Sequence, residues 1–415
     1  MKPLLLNSYD VGGAARAVLR LNEGLQCKGI ASQVLVQFKS NTTFDVMSPQ
    51  SCLAKGAAHL KIYADAFPVM FYKKRPLLNF TPAFVRDNII KQIDSVKPDI
   101  IHLNWMANGF LRLENLQKMN APLVWTLHDS WAFTGGCHVP FECTKYCQSC
   151  GECPVLGSKK DYDLSRWVYL RKQNAWKNIN LTLVAPSNWL ADCARSSSLF
   201  RNNRVVVIPN GLDSTLFKPC EKKTARSYFN IPDNKKIILF GANNGTSDPN
   251  KGYHLLIDAM RHLAKAGWSE KCELVVFGSS QLQNFPVSTI KIKHLGRLDD
   301  DSLLASLYSA ADVMAVPSIQ ESFGQTITEA MACGTPVVCF DATGPKDIVD
   351  HMVNGYKAQP FDTHNFAVGI ECILKSTCYE ELSRNARNKV VREYDIQVIA
   401  QKYIHLYEDI LRKSS

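Results

Sequence analysis

Two glutamates eight positions apart, Glu321 and Glu329, constrain this chain more than any other feature because of what surrounds them. Residues 317–336 read PSIQESFGQTITEAMACGTP. Upstream, residues 312–318 (DVMAVPS) read as a buried strand that ends at a Pro-Ser turn. Downstream, residues 325–333 have helical composition, with Gly334 just past the helix and Pro336 beyond it. The unit is strand, glycine-bearing loop, helix. Such a turn offers backbone N–H groups and a helix N-terminus to an anion. Two carboxylates would repel a phosphate, so they read as acceptors for hydroxyl groups. A phosphate cradle beside hydroxyl acceptors points to a sugar nucleotide. The plainer alternative is a helix start with one capping and one solvated glutamate.

The rest of the chain repeats the theme. Residues 1–7 read as a strand, followed by Val11-Gly12-Gly13-Ala14, a helix carrying Val18, Leu19, Leu21 and Leu25, and a strand at 32–37. This is a βαβ opening whose glycine pair lets backbone approach a phosphate. It is not GxGxxG, which argues against a nicotinamide enzyme. Strands at 99–103 and 122–127 lead to His102 and His128. In a parallel α/β sheet, ligands bind beyond the carboxyl ends of the strands, so His128-Asp129 stands where chemistry occurs. A neutral imidazole there can orient a sugar hydroxyl. His102 is a weaker candidate on the same argument. Further strands at 181–185 and 205–208 precede Pro209-Asn210-Gly211-Leu212-Asp213. Residues 214–235 are polar and read as a connector broken by Pro219 and Pro232.

The pattern then restarts with a strand at 236–241, a turn ending in Lys251-Gly252 and a helix at 253–266. Lys251, just before a helix, is a natural diphosphate ligand; the alternative is a solvated helix-start lysine. Strands follow at 273–278, 291–295 and 336–340, and residues 396–411 form an amphipathic helix. Asp299, Asp300 and Asp301 read as helix caps, not as a metal site. The chain is thus two doubly wound α/β domains.

Residues 1–218 carry 26 Lys and Arg against 15 Asp and Glu, so the net charge of +10 lies in the first half. A one-sided basic half implies an acidic partner. No nucleic-acid motif is present, and an anionic membrane leaflet fits better. Within residues 57–90, the run FPVMFYKKRPLLNF sets aromatics around Lys73, Lys74 and Arg75. It suits either a membrane interface or a solvated basic face. No run of about 18 apolar residues appears, so no membrane-spanning helix is expected. MKPLLLNSYD is too soon polar for a secretory signal, which makes cytoplasm the default. Five of the fourteen cysteines, Cys137, Cys143, Cys147, Cys150 and Cys153, fall within residues 137–153, beside His138. The Cys-x2-Cys-x2-Cys spacing suits structural zinc; disulfides and uncoordinated thiols are the alternatives.

The Glu321–Glu329 stretch resembles the donor site of retaining GT-B glycosyltransferases of the large family marked by Glu-x7-Glu with Phe-Gly inside. Here Phe323 and Gly324 fill that place, followed by Gly334-Thr335-Pro336. Pro209 to Asp213 looks like the family's interdomain signature with Leu212 for Ile. Gly344, Pro345, Lys346, Asp347 and Ile348 resemble its Gly-Gly-x-x-Glu-Ile loop, with Asp347 for Glu.

The resemblance implies a GT-B fold, two Rossmann-like domains facing across a cleft. They would be 1–213, acceptor-side, with the insert 137–153, and 214–395, donor-side. Helix 396–415 would cross back to the first domain. It implies transfer of a hexose from a UDP- or GDP-sugar to a saccharide acceptor, lipid-linked or free, with retention and without a catalytic metal. The setting would be bacterial surface polysaccharide assembly at the inner face of the plasma membrane. Glu329 would hold ribose hydroxyls, Glu321 sugar hydroxyls and Lys251 the diphosphate, with Gly12, Gly13, Phe323 and Gly324 supplying N–H groups and His128 near the donor sugar. The family's usual Arg beside this Lys is missing, and Arg297 and Asn243 are the candidate stand-ins. Rival readings are a GT-B epimerase or hydrolase of sugar nucleotides, or a non-catalytic zinc-bearing interaction protein.

Overall fold

The computed structural model describes residues 1–40, 46–49, 51–76, 78–242, 245–279 and 289–414. They divide into two compact units, Met1–Pro209 with Ile399–Ser415, and Asn210–Val398.

The first unit is built on β1 (Pro3–Tyr9), β2 (Gln33–Phe38), β3 (Ile100–Leu103), β4 (Leu123–Thr126), β5 (Leu181–Ala185) and β6 (Arg204–Val207), in the order β2-β1-β3-β4-β5-β6. All neighbours are parallel; Leu5 of β1 stands opposite Val34 on one side and His102 on the other. Leu4, Leu5 and Leu6 are all fully buried, as expected where helices cover both faces of a parallel sheet. The second unit has β7 (Lys236–Gly241), β8 (Cys272–Phe277), β9 (Lys291–His294), β10 (Val313–Val316), β11 (Val337–Phe340) and β12 (Gly355–Ala358), in the order β12-β11-β10-β7-β8-β9, again all parallel.

Each sheet reverses its winding once. In the first the reversal falls between β1 and β3, in the second between β7 and β10. At such a point the two outgoing loops diverge and open a crevice at the carboxyl edge.

Helix Ile396–Ser414 completes the first unit from residue 399 on. Its Tyr407 hydroxyl meets His102 Nδ1 at 2.6 Å, and its Tyr403 hydroxyl meets Thr126 Oγ1 at 2.8 Å. His102 Nε2 bonds the same Thr126 hydroxyl at 2.8 Å. This closed polar set pins the helix to β3 and β4. Burial lowers the His102 pKa to about 3, so its ring is neutral.

Three sequence readings change. His102 is fully buried inside the sheet's own polar set and faces no ligand space. The polar connector 214–235 contains a helix, Lys222–Tyr228. Arg226 on it is buried, paired with Asp312 at 2.7 Å and donating to Ala310 O, Pro232 O, Asp233 O and Lys235 O. One buried cation gives this polar stretch its fold, which hydrophobic periodicity could not reveal. The turn at 210–213 packs in the second unit instead of closing the first. Leu212 is buried there, its N–H on Tyr394 O and its carbonyl accepting from Ile396 N.

Candidate functional site

The second unit gathers its charged candidates at its reversal point. Lys251 lies on the short 3-10 turn Pro249–Lys251 after β7, and Glu321 on the loop after β10. Because β7 and β10 are neighbours, the two loops meet. Asn250 Nδ2 donates to Gln320 O at 2.7 Å, and Gln320 N donates back to Asn250 Oδ1 at 3.0 Å. Gly252 has φ +70°, and a Cβ there would lie 1.9 Å from Pro317 O. Only glycine lets this turn press against the neighbouring loop. The result is Lys251 Nζ 2.7 Å from Glu321 Oε2, with both side chains about one quarter exposed (23 and 24 %). Burial opposes the Lys251 charge, and the Glu321 carboxylate more than offsets it, so the pKa rises above the usual lysine value. The ammonium is charged at neutral pH and retains N–H donors beyond the one given to Glu321.

Gly324 caps the helix Gln325–Ala332, and Phe323 is buried. Glu329, on that helix, is 1 % exposed and accepts from the Tyr308 hydroxyl at 2.9 Å. Glu321 is held through its backbone: its N–H reaches Thr343 Oγ1 at 3.2 Å and its carbonyl accepts from Gly344 N at 2.9 Å. Arg297 follows the edge strand β9 and sits exposed, paired with Asp299 at 2.7 Å. Strand β8 separates it from β7, so the sheet does not draw it to Lys251 as it draws Glu321. Asn243 lies outside the described residues. Asp300 caps the helix Asp301–Ala310 through the N–H groups of Ser302 and Leu303.

The first unit arranges a glycine turn, an imidazole and an engaged carboxylate at its reversal point. After β1, Gly12 at φ +96° caps the helix Gly13–Cys27, and a Cβ on either Gly12 or Gly13 would meet nothing within 4 Å. The space above this helix start is open to a ligand. After β3, Asn104 and Trp105 are locked to the end of β1: Asn104 N donates to Leu6 O, Trp105 N to Asn7 Oδ1, and Ser8 N to Trp105 O. After β4, His128 Nε2 bonds Asn104 Oδ1 at 3.1 Å. Burial lowers the His128 pKa to about 4 against the opposing pull of Asp129. Since Asn104 Oδ1 can only accept, Nε2 carries the proton.

Asp129, singled out with His128 in the sequence, is the hub of this corner, and its partners are what the sequence does not show. Its carboxylate accepts from Trp105 Nε1 at 2.7 Å, Trp131 N at 2.8 Å and His138 Nδ1 at 2.6 Å. Burial tends to raise its pKa; His138 foremost, with Trp131 N–H and Trp105, overcomes this and holds the carboxyl below its usual range. His138 is buried and bonds Thr81 Oγ1 at 2.9 Å through its other nitrogen. A cavity of about 10 Å³, near the size of one water, is lined by Asn104, Trp105, His128, Asp129 and Trp131.

His138 belongs to the cysteine-rich segment, which therefore buttresses this corner. Cys137 and Cys153 are buried, and the Cys137 thiol bonds Cys153, which with burial raises it well above the usual thiol value. Cys150 Sγ accepts from Gly135 N at 3.1 Å. Lys172, fully buried, donates to Trp131 O and Thr134 O and lies 4.0 Å from the centre of the Trp131 ring. Burial lowers its pKa to about 7. Among the described residues no three His, Cys, Asp or Glu side chains are grouped around a common point where a metal ion would sit. Cys137, Cys143, Cys147, Cys150 and Cys153 all carry free thiols.

Known proteins resemble this chain along both units. Residues 11–216 match the family described as Glycosyltransferase Family 4, and residues 221–389 match Glycosyl transferases group 1. A D-inositol 3-phosphate glycosyltransferase of Xylanimonas cellulosilytica is 35% identical over 376 residues, covering 83% of this chain and 79% of that protein. The phosphatidyl-myo-inositol mannosyltransferase of Mycobacterium leprae is 25% identical over 418 residues, covering 98% and 96%. The solved structure of Anabaena Alr3699/HepE in complex with UDP and glucose has a TM-score of 0.64 at 18% identity, covering 98% of this chain and 99% of that one, a likeness of fold.

Proposed function

Since the chain belongs to the GT-B glycosyltransferases of the family 4 type, we propose that it transfers a hexose from a UDP- or GDP-sugar to a saccharide acceptor with retention. The acceptor in this reading is lipid-linked and part of a bacterial surface polysaccharide. The observation that carries the reading is the Lys251–Glu321 pair at the reversal point of the second sheet. An ammonium and a carboxylate side by side at a carboxyl edge offer a diphosphate one partner and sugar hydroxyls the other. Lys251 stabilises the departing diphosphate, the charge that develops as the glycosidic bond breaks. Glu321 keeps Lys251 protonated and accepts from sugar hydroxyls. Glu329, fixed by Tyr308, takes ribose hydroxyls. The N–H groups around Gly12, Gly13, Phe323 and Gly324 add donors for the phosphates. His128, neutral and fixed by Asn104, orients a hydroxyl at the reacting carbon. The bond from the anomeric carbon to the diphosphate breaks as the acceptor hydroxyl oxygen bonds to the same face of the sugar, and the hydroxyl proton passes to the departing phosphate oxygen, so the configuration is retained.

Relatives support a phosphorylated or lipid acceptor only by name: one acts on D-inositol 3-phosphate and one is a phosphatidyl-myo-inositol mannosyltransferase. The test is incubation with a panel of UDP- and GDP-hexoses and saccharide-lipid acceptors, reading the anomeric configuration of the product. Retained configuration in a glycosylated acceptor is expected. Epimerised or freely hydrolysed sugar at full turnover without acceptor would overturn the reading.

A further inference from the structure

The helix Cys52–Ala66 and the 3-10 turn Phe67–Phe71 that continues it form one rod with two unlike faces. One face is anchored. Ala58 and Val69 are buried, and Asp65 is turned inward to accept from Ala83 N at 3.2 Å and Phe84 N at 3.0 Å. The other face is apolar and open. Leu53, Leu60, Tyr63, Phe67, Met70 and Phe71 are between 56 and 87 % exposed. Leu53, Leu60, Tyr63 and Phe67 recur at steps of seven, three and four, which places them on one stripe of a helix. Single exposed apolar residues are ordinary on a protein surface, but a continuous stripe of large ones marks an interaction surface.

The charges name the partner. Residues 51–75 carry Lys55, Lys61, Lys73, Lys74 and Arg75, with Asp65 as the sole acid. Asp65 is consumed inside the fold, so no acid of this segment faces outward. Lys73 and Lys74 are exposed at the end of the rod. An apolar stripe flanked by cations and free of acids is the pattern of a helix lying in the interface of an anionic bilayer. Lysine stems can also run along the apolar boundary while their ammonium groups reach phosphate headgroups.

We propose that this rod docks the protein on membranes containing anionic lipid, with Leu60, Phe67 and Phe71 entering the acyl boundary and Lys73 and Lys74 on the headgroups. The protein is peripheral in this arrangement, because no helix among the described residues is long and apolar enough to cross a membrane. The inference rests on the first unit alone and not on the donor reading, since vesicle binding is measured without any sugar nucleotide.

The full chain is sedimented with phosphatidylglycerol–phosphatidylethanolamine vesicles and with phosphatidylcholine vesicles, at low and high salt. Binding to the anionic vesicles that weakens with salt and with phosphatidylcholine is expected. The triple variant Leu60→Ser, Phe67→Ser, Phe71→Ser should bind at least about tenfold more weakly, since each side chain loses its apolar burial. Lys73→Ser with Lys74→Ser should lose about fivefold per residue. These side chains project outward, so an unchanged Tm verifies folding; should the triple variant misfold, the lysine pair decides. Wild type that ignores anionic vesicles, or variants that bind as wild type does, would overturn the proposal. So would a concentration-dependent dimer that the triple variant abolishes while vesicles leave the wild type in solution.

Discussion

The two reversal points share a geometry and differ in chemistry. In the second sheet, adjacent loops deliver an ion pair, Lys251 with Glu321, to the carboxyl edge. In the first, the loops after β1, β3 and β4 deliver an open glycine turn, a neutral His128 held by Asn104, and a carboxylate, Asp129, already bonded to Trp105, Trp131 and His138. The same topology thus presents a part-exposed ion pair in one unit, and in the other a neutral imidazole beside a carboxylate whose acceptor sites are already engaged. An ion pair can exchange one partner for an incoming anion with little loss of charge compensation. A ring held neutral by burial can only hydrogen-bond, which suits hydroxyls. In the proposed reading, this difference gives diphosphate recognition to the second unit and hydroxyl orientation to the first.

Four outcomes follow from that contrast. Lys251→Ala removes the cation that meets the leaving group, and turnover should fall about 10²- to 10³-fold, the range for loss of one electrostatic stabiliser; steady-state kinetics at saturating donor measures it. Next is acid stability. His102 and His128 have folded pKa values of about 3 and 4, below the unfolded value near 6.5. The unfolded chain therefore binds more protons between these values. Their contribution is present in full above about pH 6.5 and is lost as pH falls toward about 4 for His128 and about 3 for His102, at up to about 1.4 kcal/mol per pH unit for each ring. Urea titrations across pH should show this slope, and His128→Gln should remove one ring's share.

Smaller effects sharpen the comparison further. Glu329→Gln should weaken nucleotide binding about tenfold by calorimetry, as a carboxylate acceptor for hydroxyls becomes a neutral one. Tyr407→Phe leaves His102 Nδ1 without its partner and should cost about 1 kcal/mol of stability with little effect on turnover, because that bond lies in the core and not at the edge.

Much of this was legible from the sequence. The buried strands and their terminal loops stand out as apolar runs followed by glycine, so the elements that carry Gly12, Lys251, Glu321 and Glu329 are legible there. Their neighbours in space were not. Asn104 and His128 are 24 residues apart, and Thr81, Asp129 and His138 join three separate segments. No periodicity carries such contacts. Arg297 pairs with Asp299 after the edge strand, a neighbour in space that strand order decides and periodicity does not show. The cysteine spacing suggests a metal but carries no sign that Cys137 lies against Cys153 or that Cys150 accepts from a backbone N–H. The stripe on the rod 52–71 was hidden for a different reason: its aromatics and lysines were visible, but only the structure tells which face is already occupied.

The central claim is that Lys251 and Glu321 form the donor's diphosphate and sugar site. Thermal unfolding of wild type, Lys251→Ala and Glu321→Gln with UDP, GDP and their hexose conjugates tests it most directly. The account predicts that one nucleotide series raises the Tm of wild type, as any ligand specific to the folded state does. Lys251→Ala should lose the shift with the bare nucleotide diphosphate as well as with the sugar conjugate. Glu321→Gln should keep the nucleotide shift and lose the increment added by the sugar. Equal shifts in all three proteins would contradict the assignment.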